Sequence, residues 1–398
     1  MIKQLVKNLK INQSVWGVTW AEIDLDALAA NVAAVKRHVT ESVEIYAVVK
    51  ANAYGHGAVQ TSRTVLKAGA TRLAVHRAIE GIELRKAGLE AQILIMGYTP
   101  PSEAEIVAGW RLTPSVTTMD FAQAISSQAS TLGVNIPVHV KVDSGMSRYG
   151  LMPNDVVGFI RALGDLPAIS VEGIFTHFST ADSADQTFVR QQLKVFNDVL
   201  ASLRSTGIEV PVVHAANSAA TMKLPESHFN AVRPGIILYG LDPSREWPPV
   251  FEIRPVLTLK SIVARVQDIP AGAAVGYGRT FIAKNLMRVA LIPIGYGDGY
   301  HRILSNKGMA LVRGSYAHLL GRVSMDQIVV DVTDIQDVQQ DDEVVLIGRQ
   351  GQAQIRAETV ADLAGTINYE VTTSLLPRVT RIYKNGIEIV GITSLQNQ

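Results

Sequence analysis

The chain has no cysteine among its 398 residues. That excludes disulfides, thiolate metal sites and a cysteine nucleophile. Charge is sparse: Asp, Glu, Lys and Arg together make up 18%, and they nearly cancel to a formal net charge of +1, with no basic stripe and no acidic tail. A nucleic-acid backbone or an anionic membrane surface is met by a concentrated positive patch, so neither partner is expected. The nine histidines are scattered without a ligand spacing such as H-E-x-x-H, which argues against a metal. No apolar run approaches the ~20 residues of a membrane span. The first residues, MIKQLVKNLKINQS, alternate in charge and lack the apolar core of a secretory signal, so the expected compartment is the cytoplasm.

What is present is a large apolar fraction, 47%. Without a membrane span, such a composition points to strands buried on both faces. The length suits two domains, or one barrel with an appendage. Between about residues 45 and 240 short apolar runs alternate with longer helical patterns. Strands are predicted at 46–50, 72–76, 92–97, 112–116, 137–143, 171–178, 210–217 and 231–240. Helical spacing falls between them, as at 78–88, 119–131 and 185–207, with Gly69, Gly88 and Gly207 as closing punctuation. Such a repeat predicts a parallel (β/α)8 TIM barrel, with an open doubly wound sheet as its rival.

The pattern changes at the proline-rich stretch Asp242 to Pro249. Beyond it, β-branched runs with turn residues predict a mainly antiparallel β domain, relieved by short helices near 357–364 and 370–375. The division expected is a barrel over 15–245 and a β domain over 246–398. Residues 15–24, which alternate like a strand, are open to assignment with the second domain.

In such barrels the working side chains lie at the C-terminal ends of strands. Lys50 ends the apolar run that begins at Ile45 and precedes the glycine-containing segment Ala51 to Gly57. A lysine after a strand is ordinarily a solvated end. A desolvated one loses its proton more easily and can form a Schiff base with an aldehyde cofactor such as pyridoxal 5'-phosphate (PLP). Other strand ends carry Lys141 and Asp143, His177, Asn217 with Ser218, and Arg233. A phosphate needs donors and little bulk: the Ser218 hydroxyl, the backbone at Gly235 and Ile236, and the Tyr54 phenol would make such a cradle.

The segment AVVKANAYGHG resembles the cofactor-lysine segment of the alanine racemases. KVDSGMSRYG (141–150), EGIFTHFSTAD (172–182), HAANSAAT (214–221) and VRPGIILYG (232–240) are similar to that family's arginine, histidine and phosphate segments. VGYGRTF (275–281), IPIGYGDGYHR (292–302), GRVSMDQ (321–327) and GTINYEV (365–371) follow in the family's order. The resemblance implies a PLP-dependent isomerase interconverting L- and D-alanine, as a homodimer with shared sites, supplying D-alanine for peptidoglycan. By the same resemblance Lys50 carries the cofactor and is one acid–base group, and Tyr277 is the other. Tyr54, Asn217, Ser218, Gly235, Ile236 and Tyr369 belong to the cofactor site, Arg233 meets the pyridine nitrogen, and His177 joins Arg233 to Tyr277. Arg148, Met325 and Tyr296 bind substrate, and Lys141 is carbamylated, an anion that orients Arg148.

Racemisation removes a proton from one face of Cα and returns one to the other, which two opposed groups do more simply than one swinging group. A free tyrosine titrates near 10, so Tyr277 needs a cationic or hydrogen-bonding neighbourhood to act as a base. An arginine at the pyridine nitrogen leaves the ring a weaker electron sink, which limits side reactions such as transamination. Three positions depart from the family pattern: Ser324, where cysteine is frequent, and Ser147 and Tyr149, where glycine and a smaller aliphatic residue are frequent.

Three other readings compete. A serine or broader-specificity racemase would use the same scaffold, but Tyr369 narrows the space above Cα and favours alanine. A decarboxylase of related fold wants an acidic pyridine partner and a cysteine. A non-catalytic PLP carrier would need only the barrel.

Overall fold

The computed structural model describes residues 17–395, so the N-terminal stretch 1–14 lies outside the described residues, as do the first two positions of the expected 15–245 domain. The chain divides into two compact units. Among the described residues, one comprises 27–54 and 58–254; the other comprises 17–26, 55–57 and 255–395.

The N-terminal strand β1 (Thr19–Asp24) belongs to the second unit. The first unit is a closed barrel of parallel strands: β2 (Glu44–Val48), β3 (Arg72–Val75), β4 (Ile93–Ile95), β5 (Thr113–Val116), β6 (Ile136–Lys141), β7 (Ile169–Phe175), β8 (Val212–His214) and β9 (Ala231–Val232). β9 pairs back onto β2, so no edge remains. The eight predicted strands are these eight, and closure decides against the open sheet.

The strands form where both faces are covered. Leu73, Ala74 and Val75, like Ile93, Leu94 and Ile95, are wholly buried, each large aliphatic contributing about 1.5–3 kcal/mol by leaving water. Helices pack outside. Thr187–Ser205 buries Val189, Leu193, Phe196, Leu200 and Leu203, a three- and four-residue spacing that puts them on one face.

Two strand ends differ from expectation. β2 stops at Val48, so Lys50 lies beyond the strand. The last strand was expected to run to residue 240 but ends at Val232; a 3-10 turn, Ile236–Tyr239, follows. Pro234 has no N–H to give to a ladder, which is the physical reason.

The second unit is an eleven-stranded, largely antiparallel sheet. β1 lies within it, antiparallel to Leu257–Ile262 and parallel to Thr380–Asn385. The small hairpin Ala274–Val275 with Phe281–Ile282 and the helices Ala357–Ala364 and Asn368–Thr373 complete it. Strands Ser315–Leu320, Thr380–Asn385 and Glu388–Thr393 also belong to this sheet. Their interleaved polar residues weaken the alternation signal.

Candidate active site

The residues after β2 adopt a rare backbone. Ala51, Asn52, Ala53 and Tyr54 all have φ of 53°, one turn of left-handed helix built without glycine. For L-residues this conformation costs roughly 1–2 kcal/mol each, so something must hold it. Glu80 is the main support: Oε1 accepts the Ala51 N–H at 2.6 Å, and Oε2 accepts those of His76 (2.7 Å) and Arg77 (2.9 Å). The Ala53 N–H donates to the Val49 carbonyl at 2.9 Å, and Asn52 Oδ1 accepts the Ala58 N–H at 2.8 Å.

The turn leaves Lys50 half-buried and sends the Tyr54 ring into the interior, against Tyr239 at a centroid distance of 4.9 Å. Burial pushes the Tyr54 phenol above its ordinary range. Its hydroxyl reaches Gly235 so closely that a Cβ there would lie 2.4 Å away. The Gly235 N–H donates to Ser218 Oγ at 2.8 Å, and Asn217 Oδ1 caps the helix Ser218–Lys223 through the Ala220 N–H at 3.0 Å. Ile236, fully buried, opens the next turn. Tyr54, Ser218 and Gly235 thus converge on one spot that has hydroxyls, a backbone amide and no room for a methyl group, as a bound phosphate requires.

Around Lys50 the barrel mouth is cationic. Burial first, then the charge of Arg148, lowers the Lys50 amine, with Glu80 opposing. Lys141, at the end of β6, is lowered to about 7 by burial, then by Arg233 and Arg148. Its Nζ lies 4.8 Å from the centre of the Tyr149 ring and 5.5 Å from that of Phe175. Arg233 is buried; its Nη2 donates to the carbonyls of Thr176 (2.7 Å) and Ala215 (3.0 Å) and reaches His177 Nδ1 at 3.4 Å. Burial, then Arg233, keeps His177 well below the usual imidazole range, so it is neutral. Arg148 is exposed on a loop shaped by Asp143, whose Oδ1 accepts the N–H of Gly145 (2.9 Å) and Ser147 (3.0 Å). Ser147 has φ of 56°, a left-handed conformation that explains why glycine suits this place.

The remaining expected residues lie in the second unit. Tyr277 stands on the hairpin turn between Gly276 (φ 69°) and Gly278 (φ 73°) and is 71% exposed. Met325 is 53% exposed, with its carbonyl accepting the Gly297 N–H at 2.8 Å; Tyr296 is 40% exposed. Tyr369 is half-buried on the helix Asn368–Thr373. Ser324 Oγ donates to the Gln327 carbonyl at 2.6 Å and accepts the Gln327 N–H at 3.1 Å. A thiol would make both bonds poorly, so serine here braces the Met325 turn.

Sequence reasoning missed Glu80 and a layer of polar side chains inside the barrel, formed by His139, Glu172 and His214. The signal was a single polar residue set in a run otherwise buried on both faces, as in Val138 to Val140. Among the described residues no group of three or more potential ligands could hold a metal.

A lysine amine lowered by burial at a barrel mouth, beside an anion cradle and a buried guanidinium, defines a barrel enzyme that works through a lysine-held, phosphate-bearing cofactor. Family models specify the class further: the alanine racemase N-terminal domain matches residues 23–243, and the C-terminal domain matches 256–383. The alanine racemase of Halothermothrix orenii is 43% identical over 95% of this chain and all of its own. The structure of the Bacillus anthracis enzyme with bound L-Ala-P superposes with a TM-score of 0.91 at 37% identity, covering 96% of this chain and 98% of that one. That of the Bartonella henselae enzyme, with covalently bound pyridoxal phosphate, gives 0.83 at 32%, covering 92% and 100%. The chain belongs to the alanine racemase family.

Proposed function

We propose that this PLP-dependent alanine racemase exchanges the Cα proton between two groups, Lys50 on one face and Tyr277 on the other. When bound, the cofactor supplies an electron-withdrawing ring that acidifies the α-hydrogen of the amino acid joined to it. Lys50 is its attachment point, and its amine, lowered by burial and by Arg148, takes up or returns the proton. Tyr277 does the same from the opposite face, so each enantiomer uses the pair in the opposite order. Tyr54, Ser218, Gly235, Ile236 and Tyr369 would hold the phosphate, with Asn217 fixing the helix that presents Ser218. Arg233 would take the pyridine nitrogen, with His177 beside its guanidinium at 3.4 Å. Arg148 takes the substrate carboxylate together with the Met325 amide, and Tyr296 bounds the substrate. Lys141, unprotonated in much of the population near pH 7, is a ready acceptor of carbon dioxide, and its carbamate would orient Arg148.

The observation that carries the proposal is the convergence of Tyr54, Ser218 and Gly235 within reach of one turn from Lys50. A homodimer with shared sites is part of it. The support is that Tyr277 and Met325 are more than half exposed in the single chain, as groups kept for another surface are. The D-alanine formed serves peptidoglycan precursors in the cytoplasm; among the described residues no helix is long and apolar enough to cross a membrane. The test is borohydride reduction of the purified holoenzyme, followed by peptide mapping. A cofactor adduct on the peptide containing Lys50 is expected. An adduct on another lysine, or none, refutes the assignment.

A further inference from the structure

Beneath Arg233 the barrel interior holds a continuous row of polar contacts across three strands. Arg233 Nη1 lies 2.7 Å from His214 Nδ1 on β8. His214 Nε2 lies 2.8 Å from His139 Nδ1 on β6. His139 Nε2 lies 3.1 Å from Glu172 Oε2 on β7. Glu172 Oε1 is paired with Arg72 at 2.8 Å, and Gln92 also donates to this carboxylate.

The chemistry of the two ends dictates every proton between them. A guanidinium only donates, so His214 Nδ1 accepts and the ring proton sits on Nε2. That proton is donated to His139 Nδ1, which leaves the His139 proton on Nε2, aimed at a carboxylate that only accepts. With a second proton on His214, its Nδ1–H would face an Arg233 N–H. With a second proton on His139, that extra N–H would meet the donor face of His214. Two neutral imidazoles of one tautomer therefore satisfy all three bonds, and no other assignment does. Burial holds both rings below the usual imidazole range, as this requires. Burial alone would raise Glu172, but hydrogen bonds from His139, Arg72 and Gln92 bring it to about 2, so it is ionised.

The row is also mechanically constrained. His214 is sandwiched between Tyr46 and Phe175, each within 9° of parallel, at 5.2 and 4.8 Å. Gly173 clears the space for His139: a Cβ there would lie 2.3 Å from the imidazole. The other guanidinium contacts, to the Thr176 and Ala215 carbonyls and to His177 Nδ1, are with neutral groups.

We propose that Glu172, acting through His139 and His214, is a positioning residue that locks the Arg233 guanidinium in one orientation toward the cofactor ring. The assignment rests on Arg233 facing the pyridine nitrogen. The carboxylate polarises two imidazoles in series and draws the guanidinium onto His214, leaving its remaining donors with a fixed aim.

The test uses full-length enzyme with 15N-labelled histidine, with and without 15N-labelled PLP. Long-range 1H–15N spectra at neutral pH should show His139 and His214 as neutral Nε2–H tautomers in both states. An Nδ1–H tautomer at His214, or an imidazolium at either ring, overturns the relay, and this arm needs no substitution. Glu172→Gln keeps the volume and one acceptor oxygen but removes the charge. It should weaken the His139 Nε2–H bond, shift the cofactor pyridine 15N resonance and lower kcat roughly ten-fold, with little change in KM. If Arg233→Lys moves the pyridine resonance and a folded Glu172→Gln does not, the relay fails while the Arg233 reading stands. If neither moves it, the Arg233 reading fails and the proposal falls with it.

Discussion

Glu80 is the support of the left-handed turn that presents Lys50, and its removal should be costly in two separable ways. The four residues from Ala51 to Tyr54 store roughly 4–8 kcal/mol of conformational strain at 1–2 kcal/mol each. Against this Glu80 supplies three backbone N–H bonds to an ionised acceptor, each worth about 1.5–3 kcal/mol. Water replaces part of that at this partly exposed place, so Glu80→Ala should destabilise the protein by about 2–4 kcal/mol. It should also free Ala51 and displace Lys50 and Tyr54 together, weakening PLP binding at least ten-fold. Glu80→Gln retains one acceptor oxygen and should fall between. The assays are urea unfolding of the apoprotein and titration of the apoprotein with PLP, followed by absorbance. If Glu80→Ala leaves both the midpoint and the PLP affinity unchanged, the turn stands on its own and the reasoning is wrong.

Three further outcomes follow from the same geometry. Gly235→Ala places a methyl group 2.4 Å from the Tyr54 hydroxyl, so PLP should dissociate at least ten-fold faster on dialysis, with the fold intact by circular dichroism. Lys141 is lowered from 10.5 to about 7 in the fold. The unfolded state therefore holds more protons between those values, and stability should rise by a few kcal/mol from pH 7 toward 10 in bicarbonate-free buffer. Lys141→Gln should flatten that rise, and an unchanged slope of melting temperature against pH would refute the cause. Finally, Lys50→Ala and Tyr277→Phe homodimers should each be nearly inactive, whereas a purified heterodimer recovers about half the wild-type activity, because one shared site collects both lesions. An inactive heterodimer rules out shared sites.

How much of this was legible before the structure differs from residue to residue. Lys50, Lys141, His177, Asn217 and Ser218 could be found because each ends or follows an apolar run, and in a parallel barrel run ends are where side chains meet solvent and ligand. The eight strands were legible for the same reason, being bounded by glycine and helical spacing. The ends of β2 and β9 were not. One ends early in favour of a left-handed turn that no composition signals, and the other is cut by Pro234, whose effect on pairing depends on which neighbour the strand meets.

Local periodicity and residue type lay down the alternation that closes a barrel, the apolar faces that fill it, and the order of its chemical side chains. Which of those side chains share a proton depends on how the strands pack together. His139, Glu172 and His214 are far apart along the chain and unremarked in their strands. They become neighbours because β6, β7 and β8 lie side by side and turn them into one interior. Glu80 likewise reads as an ordinary surface residue of a helix until packing brings its carboxylate to three amides, one of them on another loop. Hydrogen bonds and charge act over a few ångströms in space, and no spacing along a chain encodes such a distance once the chain has turned back on itself.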